Sequence, residues 1–322
     1  MKNILWLIRR EFWEHKVEFV WAPFAVSMLF IFLITLWAVG HNFLGFEAGL
    51  FIEDMRITGE SLKDPGKLRT LVEVIQAGIF TFIGIQLTLT ALIHFTYASN
   101  CLSSERRDRS VLFWKSLPSS DLQTITAKAL TASVLIPAIS IGILLVAVPL
   151  GTCILIWGAG GMSGAFVQNG HLGAMLLLVV KTMLAYLPLQ IVWALPTVAW
   201  CILISSMARD NPSLKAFGFP AIAIAVIFVL AAMFVADTGD KVKEPIVGAE
   251  VHKAGSAAIL RLITGTMPLA WAYINDRGRD EGSIFVLYGW GSVKPYEIIL
   301  GALAAGLMLY GAMVMRKRAT GD

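Results

Sequence analysis

Long apolar runs without charged residues alternate with short charged segments along the whole chain. These runs occupy residues 19–46, 74–104, 129–180, 182–208, 216–236 and 298–315. A transmembrane helix needs about 20 apolar residues to cross the hydrocarbon core of a bilayer, and each run is long enough. Because lipid offers the backbone no hydrogen-bond partners, a crossing segment of this kind must be helical. The pattern therefore predicts an all-α integral membrane protein.

The runs divide into six predicted transmembrane helices within a single domain, 1–322. We place the spans at about 20–40, 74–99, 124–157, 183–206, 216–236 and 297–315. Asp64-Pro65-Gly66 is a turn signal before the second span, and 171–182 is expected to form a shorter helical piece before the fourth. Within the outer loop 237–296, Gly255–Ile263 and Pro268–Ile274 are expected to form helices too short to cross.

Residues 1–19 have the pattern of an amphipathic helix. At 100° per residue, most charged side chains fall on one arc and most large apolar side chains on the opposite arc. We predict an interfacial helix that leads into the first span, with charges through Glu18 arguing against a cleaved signal peptide. The residues singled out in it are Arg9, Arg10, Glu11, Trp13 and Glu14.

Composition and charge support the membrane assignment. Hydrophobic residues make up 57% of the chain and charged residues only 15%, against roughly 25% charged in soluble domains. The net charge of +4 does not indicate nucleic-acid binding, because the lysines and arginines flank the predicted spans. An even number of spans places both termini on one side of the membrane. Most of the flanking lysines and arginines lie on that same side, and this excess predicts that the termini are cytoplasmic. No histidine or cysteine spacing indicates a metal site or catalytic group.

The segment 103–121, between the second and third spans, has the most distinctive composition. A dense group of charges is followed by an apolar helical turn that Pro118 ends, and Ser120 with Gln123 fits a capping box that starts the next helix. The alternatives are a solvated positive-inside loop and a short surface helix that docks a soluble partner. The candidate docking residues are Glu105, Arg106, Arg107, Asp108, Arg109, Phe113, Trp114, Lys115, Leu117 and Pro118.

This segment resembles the corresponding region of ABC-2-type exporter permeases. In that family a Glu near the end of the second span precedes an apolar stretch, a Leu-Pro pair and a Lys in the next span. Glu105, Leu117-Pro118 and Lys128 match that pattern, whereas Arg109-Ser110 stands where the family commonly has Gly-Thr. The layout of an N-terminal amphipathic helix, six spans and a long outer loop is also similar along the whole chain.

The resemblance implies the permease subunit of an ATP-driven exporter in a bacterial inner membrane. Two copies of a cytoplasmic ABC ATPase would bind ATP and Mg²⁺ and pull on the N-terminal helix and the 104–118 segment, and a second permease chain would complete the pathway. The chain itself needs no cofactor in this scheme, and it contains no Gly-x-x-x-x-Gly-Lys-Ser/Thr sequence. Lipids, peptides, antibiotics and polysaccharide precursors are all compatible with the family as substrates.

Three polar residues within the apolar runs are candidates for a transport pathway. Lys181 is the only charged residue between Lys128 and Arg209, and it either lines a pathway or extends its ammonium to the outer interface. Gln86 and Gln190 either line a pathway or form hydrogen bonds between helices. Rival functions are a secondary transporter, a membrane-embedded enzyme, and a non-transporting sensor or immunity protein that docks an ATPase.

Overall fold

The computed structural model describes residues 2–43, 65–107, 120–158, 171–208, 210–238, 261–262 and 295–319. Within these ranges almost every residue is helical and no strand occurs. Most of the 104–118 segment and nearly all of the outer loop lie outside the described residues. The surface helix predicted in the 104–118 segment therefore remains a prediction. The same holds for the short helices predicted in the outer loop.

The described ranges contain nine α-helices of very different length. Their bounds are α1 Lys2–Glu14, α2 Ala22–Phe43, α3 Pro65–Asn100, α4 Ser103–Arg107, α5 Asp121–Leu130, α6 Ile136–Gly158, α7 His171–Met207, α8 Pro212–Thr238 and α9 Pro295–Ala319. Two wider, π-helical turns join neighbouring helices. Val17–Trp21 leads from the end of α1 into α2, and Thr131–Leu135 joins α5 to α6.

Five helical segments of the described chain are long and apolar enough to cross a membrane, as in a multi-pass membrane protein. They are Val17–Gly40, Thr81–Asn100, Asp121–Gly158, Leu187–Met207 and Pro295–Arg318. The predicted span 216–236 falls within α8, of which Pro212–Val226 counts as a shorter apolar helix. Fold class and membrane character are thus confirmed, while the count of six stays a prediction.

Two helix boundaries differ from the sequence predictions. Pro65 and Gly66 of the predicted turn form the start of α3, because a proline at the first helical position needs no backbone N–H partner, and Asp64 lies outside the described residues. The piece predicted at 171–182 is not separate, since α7 continues through Pro188 and Pro196. Prolines are tolerated inside membrane helices because neighbouring groups can satisfy the freed carbonyls.

Helix packing brings the chain's two ends into one bundle. Along their lengths α9 packs mainly on α7 and α2 on α6, while α3 contacts both α6 and α7. Phe30 of α2 stacks on Phe82 of α3 with ring centroids 3.9 Å apart. At the end of α6, a Cβ on Gly158 would lie only 2.6 Å from the Cβ of Ala38, so glycine permits the close approach of α6 to α2.

Candidate functional site: a buried ion-pair cluster

Glu11 of α1 is the most enclosed acid of the site, with 2% of its surface exposed. Its Oε1 accepts hydrogen bonds from Lys128 Nζ at 2.9 Å and from Arg10 Nη2 at 2.7 Å. Its Oε2 accepts from the Tyr97 hydroxyl at 2.8 Å. The carboxylate therefore joins α1 to α3 and α5.

Glu105 of α4 is the second buried acid and shares two of these partners. Its Oε1 lies 3.0 Å from Arg10 Nη2 and 3.1 Å from Lys128 Nζ. Its Oε2 lies 3.6 Å from Nη2 of Arg316, near the end of α9. One carboxylate thus connects four helices.

Asp121 completes the site at the start of α5. Its Oδ1 lies 3.1 Å from Nε of Arg316. Three acids and three bases of the described chain therefore form one connected group, which the exposed Glu14 contacts from outside with its Oε2 3.6 Å from Arg10 Nε. We call it the ion-pair cluster, and its members are Arg10, Glu11, Glu105, Asp121, Lys128 and Arg316.

The charges of Arg10 and Glu11 stabilise each other against the cost of burial. Burial opposes ionisation of Glu11, but the positive charges of Lys128 and Arg10 outweigh it and lower the pKa of this carboxyl. Burial also opposes the charged form of Arg10, yet the carboxylates of Glu11 and Glu105 raise the pKa of its guanidinium. Both groups are therefore ionised at neutral pH.

The position of Glu105 is set by the way α4 is fixed to the end of α7. The backbone N–H groups of Leu102 and Ser103 donate to the Ser205 hydroxyl at 3.0 and 3.1 Å. The Arg106 guanidinium donates to the carbonyls of Ser205, Ser206 and Ala208. These carbonyls end a helix and carry partial negative charge, so an arginine is well suited to bind them.

The end of α3 is fixed in a similar way to the start of α8. The Ser99 and Ser213 hydroxyls lie 2.8 Å apart, and the Asn100 amide donates to Ser213 Oγ at 2.8 Å. Together with the contacts of Arg106, these bonds hold the α3–α4 corner against the α7–α8 corner. Glu105 therefore projects into the ion-pair cluster from a well-supported segment.

The structure places the predicted docking residues in different environments. Glu105 is buried, Arg106 is half-buried and Arg107 is exposed. The predicted capping box is confirmed, since Ser120 Oγ accepts from Gln123 N at 3.2 Å and Gln123 Oε1 accepts from Ser120 N at 3.3 Å. The other candidates, Asp108, Arg109, Phe113, Trp114, Lys115, Leu117 and Pro118, lie outside the described residues.

The charged arc predicted for the N-terminal helix divides between two surroundings. Arg10 and Glu11 turn into the ion-pair cluster, while Arg9 and Glu14 are exposed. Large apolar side chains of α1, including Trp13, are also exposed. The arc divides in this way because Lys128 and Glu105 offer buried partners that a helical projection of α1 alone cannot show.

The candidate pathway residues do not belong to the ion-pair cluster. Lys181 is exposed on α7, ahead of the candidate span Leu187–Met207. Gln86 is fully buried, and its amide donates to the carbonyl of Pro23 at 3.1 Å. Gln190 is also buried. No group of His, Cys, Asp and Glu among the described residues has the arrangement of a metal site.

Sequence reasoning did not select Tyr97, Asp121 or Arg316 as site residues. Arg316 was counted only among the positive residues that flank the last span, and Tyr97 lies in an apolar run. Each becomes part of the site through a partner distant in sequence. The sequence signal that could have pointed to site residues was an acid or arginine at the end of a span, since such a group needs a partner when it faces other helices.

Comparison of the chain with models of known protein families, with curated proteins and with solved structures finds no match.

Proposed function

We propose that this chain is the permease subunit of an ATP-driven exporter of the ABC-2 type. It would move an unidentified substrate across a bacterial inner membrane, with both termini in the cytoplasm. The observation that carries the proposal is the position of Glu105. This residue belongs to the segment that resembles a coupling element, and its carboxylate connects α1, α5 and α9.

The contacts of α4 suit a segment that transmits movement. A force on α4 reaches α1, α5 and α9 through Glu105 and reaches α7 through Arg106. Buried ion pairs resist separation because each charge left alone would cost several kcal/mol. The helices would therefore shift together rather than lose contact, as alternating access requires.

The partners follow from this scheme. The chain lacks a phosphate-binding loop, so a separate ATPase, present in two copies, would bind ATP and Mg²⁺ beneath the α4 segment. A second permease chain would complete the pathway. Helix α1 would lie at the membrane interface, with exposed Leu5, Trp6 and Trp13 towards lipid.

Purification of the tagged full-length chain from its native membrane tests this proposal. An ABC ATPase is expected to co-purify, and its ATP hydrolysis is expected to respond to reconstitution with the permease. Glu105→Gln should abolish that response, while Lys215→Gln, at an exposed position on α8, should not. Absence of any co-purifying ATPase, or unchanged coupling in Glu105→Gln, would contradict the proposal.

A further inference from the structure

A row of polar side chains follows one buried face of α3. Gln86, Thr90, His94 and Tyr97 are 0, 5, 1 and 3% exposed. Their spacing of four, four and three residues places them above one another on a helix. At 1.5 Å per residue, the row extends for roughly 16 Å, which is about half the thickness of a hydrocarbon core.

Hydrogen bonds connect this row to neighbouring helices and to the ion-pair cluster. Thr90 Oγ1 donates to the Gln86 carbonyl at 2.8 Å and also lies 2.5 Å from Ser140 Oγ of α6. At the other end of the row, the Tyr97 hydroxyl donates to Glu11 at 2.8 Å. The polar face is therefore continuous with the charged site.

Two buried polar atoms on this face and one on α2 lack a hydrogen-bond partner among the described residues. They are Oε1 of Gln86, Nε2 of His94 and Oγ of Ser27. Ser27 lies one turn after Pro23 on α2, and the Pro23 carbonyl already accepts from Gln86. Each such atom is costly to leave dry, and proteins commonly satisfy such atoms with internal water.

The helix that faces this row is irregular at the same level. Thr131–Leu135 forms a π-helical turn that contacts α3, and within it Thr131 and Ser133 are buried. Single π-helical turns are frequent at functional sites, because they change the direction of side chains and carbonyls. Of these two residues, Thr131 lies beside Tyr97, while the Ser133 hydroxyl donates to the Ala129 carbonyl of its own helix.

We propose that this face is a binding site for internal water that extends from the ion-pair cluster towards the middle of the span Thr81–Asn100. The site, here named the polar stripe, consists of Ser27, Gln86, Thr90, His94, Tyr97 and Ser140. Hydroxyl, amide and imidazole groups hold the water, and each can donate or accept. The polar stripe stands independently of the exporter assignment, since it follows from burial and unmet hydrogen bonds alone.

Hydroxyl-radical footprinting of the full-length chain in lipid nanodiscs tests this site. Radicals formed from bound water modify the side chains beside it, so buried residues next to water react and dry ones do not. Ile156 of α6 is the control, since it is 0% exposed in an apolar cluster and lies about four turns beyond Ser140. After correction for intrinsic reactivity, His94 is expected to be modified several-fold faster than Ile156.

A variant separates a specific water site from general opening of the bundle. Thr90→Val keeps the shape of the side chain but removes its hydroxyl, and it is expected to slow modification of His94 at least two-fold while Ile156 stays protected. Equal protection of His94 and Ile156 in the wild type would show a dry interface and overturn the proposal. Equally fast modification of both would show that the helices separate, which overturns it as well.

Discussion

Lys128 illustrates how this protein keeps a charge inside a helix bundle. Its ammonium is 2.9 Å from Glu11 and 3.1 Å from Glu105, and its side chain is only 3% exposed. A buried ion pair does not guarantee high stability, because desolvation offsets much of the attraction. Loss of one partner is costly, however, because it leaves the other charges buried without compensation.

Replacement of Lys128 should therefore destabilise the protein strongly. Lys128→Met removes the positive charge shared by two buried carboxylates and should lower the free energy of unfolding by about 3–5 kcal/mol. Thermal unfolding in detergent, followed by tryptophan fluorescence, measures the effect. Lys181→Met is the control, since this exposed lysine should change stability by no more than about 0.5 kcal/mol.

A double variant separates the ion pair from simple loss of packing. Glu11→Gln combined with Lys128→Met should cost clearly less than the sum of the two single changes, because neither partner is then left charged and alone. Additive costs would show that Glu11 and Lys128 do not interact in the folded protein.

The lowered pKa of Glu11 predicts how the free energy of unfolding depends on pH. Its pKa is lower in the folded protein than in the unfolded chain, since the positive charges of Lys128 and Arg10 outweigh the effect of burial. Its contribution is therefore fully present above the unfolded pKa of about 4.3 and is lost as the pH falls through the folded value. The stability advantage of the wild type over Glu11→Gln should shrink below about pH 4 in the same unfolding assay. A constant difference from pH 7 to pH 3 would contradict this assignment.

Residues differ in how far the sequence alone predicts their role. The capping box of Ser120 and Gln123 was predictable because both residues lie within one turn. The burial of Glu11 was not, because its partner Lys128 lies 117 positions away in the sequence. A helical projection reports the polarity of each face but not which charges another helix brings to it.

At the scale of elements, the contact between α2 and α6 depends on the absence of a side chain. The position of a Cβ at Gly158 lies 2.6 Å from Ala38 Cβ and 2.8 Å from Cζ3 of Trp37. Backbone and side chain of α2 therefore occupy the space that any larger residue needs. Small residues allow such close approach of membrane helices.

Gly158→Ala should destabilise the bundle, whereas Gly142→Ala should not. Position 142 lies on the same helix, and a Cβ there meets nothing within 4 Å. We expect a loss of about 1–3 kcal/mol at 158 from overpacking, and little change or a small gain at 142 from better helix propensity. The same thermal unfolding assay compares the two variants. Equal stability of both would show that α2 and α6 do not approach this closely in the membrane.

Element boundaries show a second limit of prediction from sequence. Apolar runs located the spans because lipid imposes length and helicity on them, but the runs do not define where a helix stops outside the bilayer. Helix α3 extends back to Pro65, and α7 begins at His171, well ahead of its candidate span. The thickness of the hydrocarbon core does not set the length of either extension, so hydropathy does not locate where it begins.

At the scale of the whole molecule, the ion-pair cluster bears on topology. Arg10 and Arg316, near opposite ends of the chain, both contact Glu105. Two chain ends that meet at one end of a bundle require an even number of crossings. The five candidate spans of the described residues alone would separate them, so α8, which holds a shorter apolar helix, is expected to cross as well.

The contacts of both chain ends with Glu105 predict that residues 2 and 319 face the same side of the membrane. Single cysteines introduced there, in a background without Cys101, Cys153 and Cys201, can be labelled with an impermeant thiol reagent in intact and opened cells. Both should react only after the cells are opened. Labelling of one position alone in intact cells would show an odd number of crossings and would contradict the even number expected with α8 as a span.

The π-helical turn at Val17–Trp21 has a consequence for chain length. Ala22 N–H donates to the Val17 carbonyl five residues earlier, so this turn contains one residue more than an α-helical turn needs. Removing a single residue there would restore regular winding and leave α1 at nearly the same angle about the axis of α2, because the turn absorbs one residue without a change of phase. Removing a second residue would rotate α1 by about 100°. Glu11 would then point away from Lys128 although no charged residue had changed. The angular phase of the first helix thus depends on residue count: between His15 and Ala22 one deletion should be tolerated, whereas a second would disconnect α1 from the rest of the bundle.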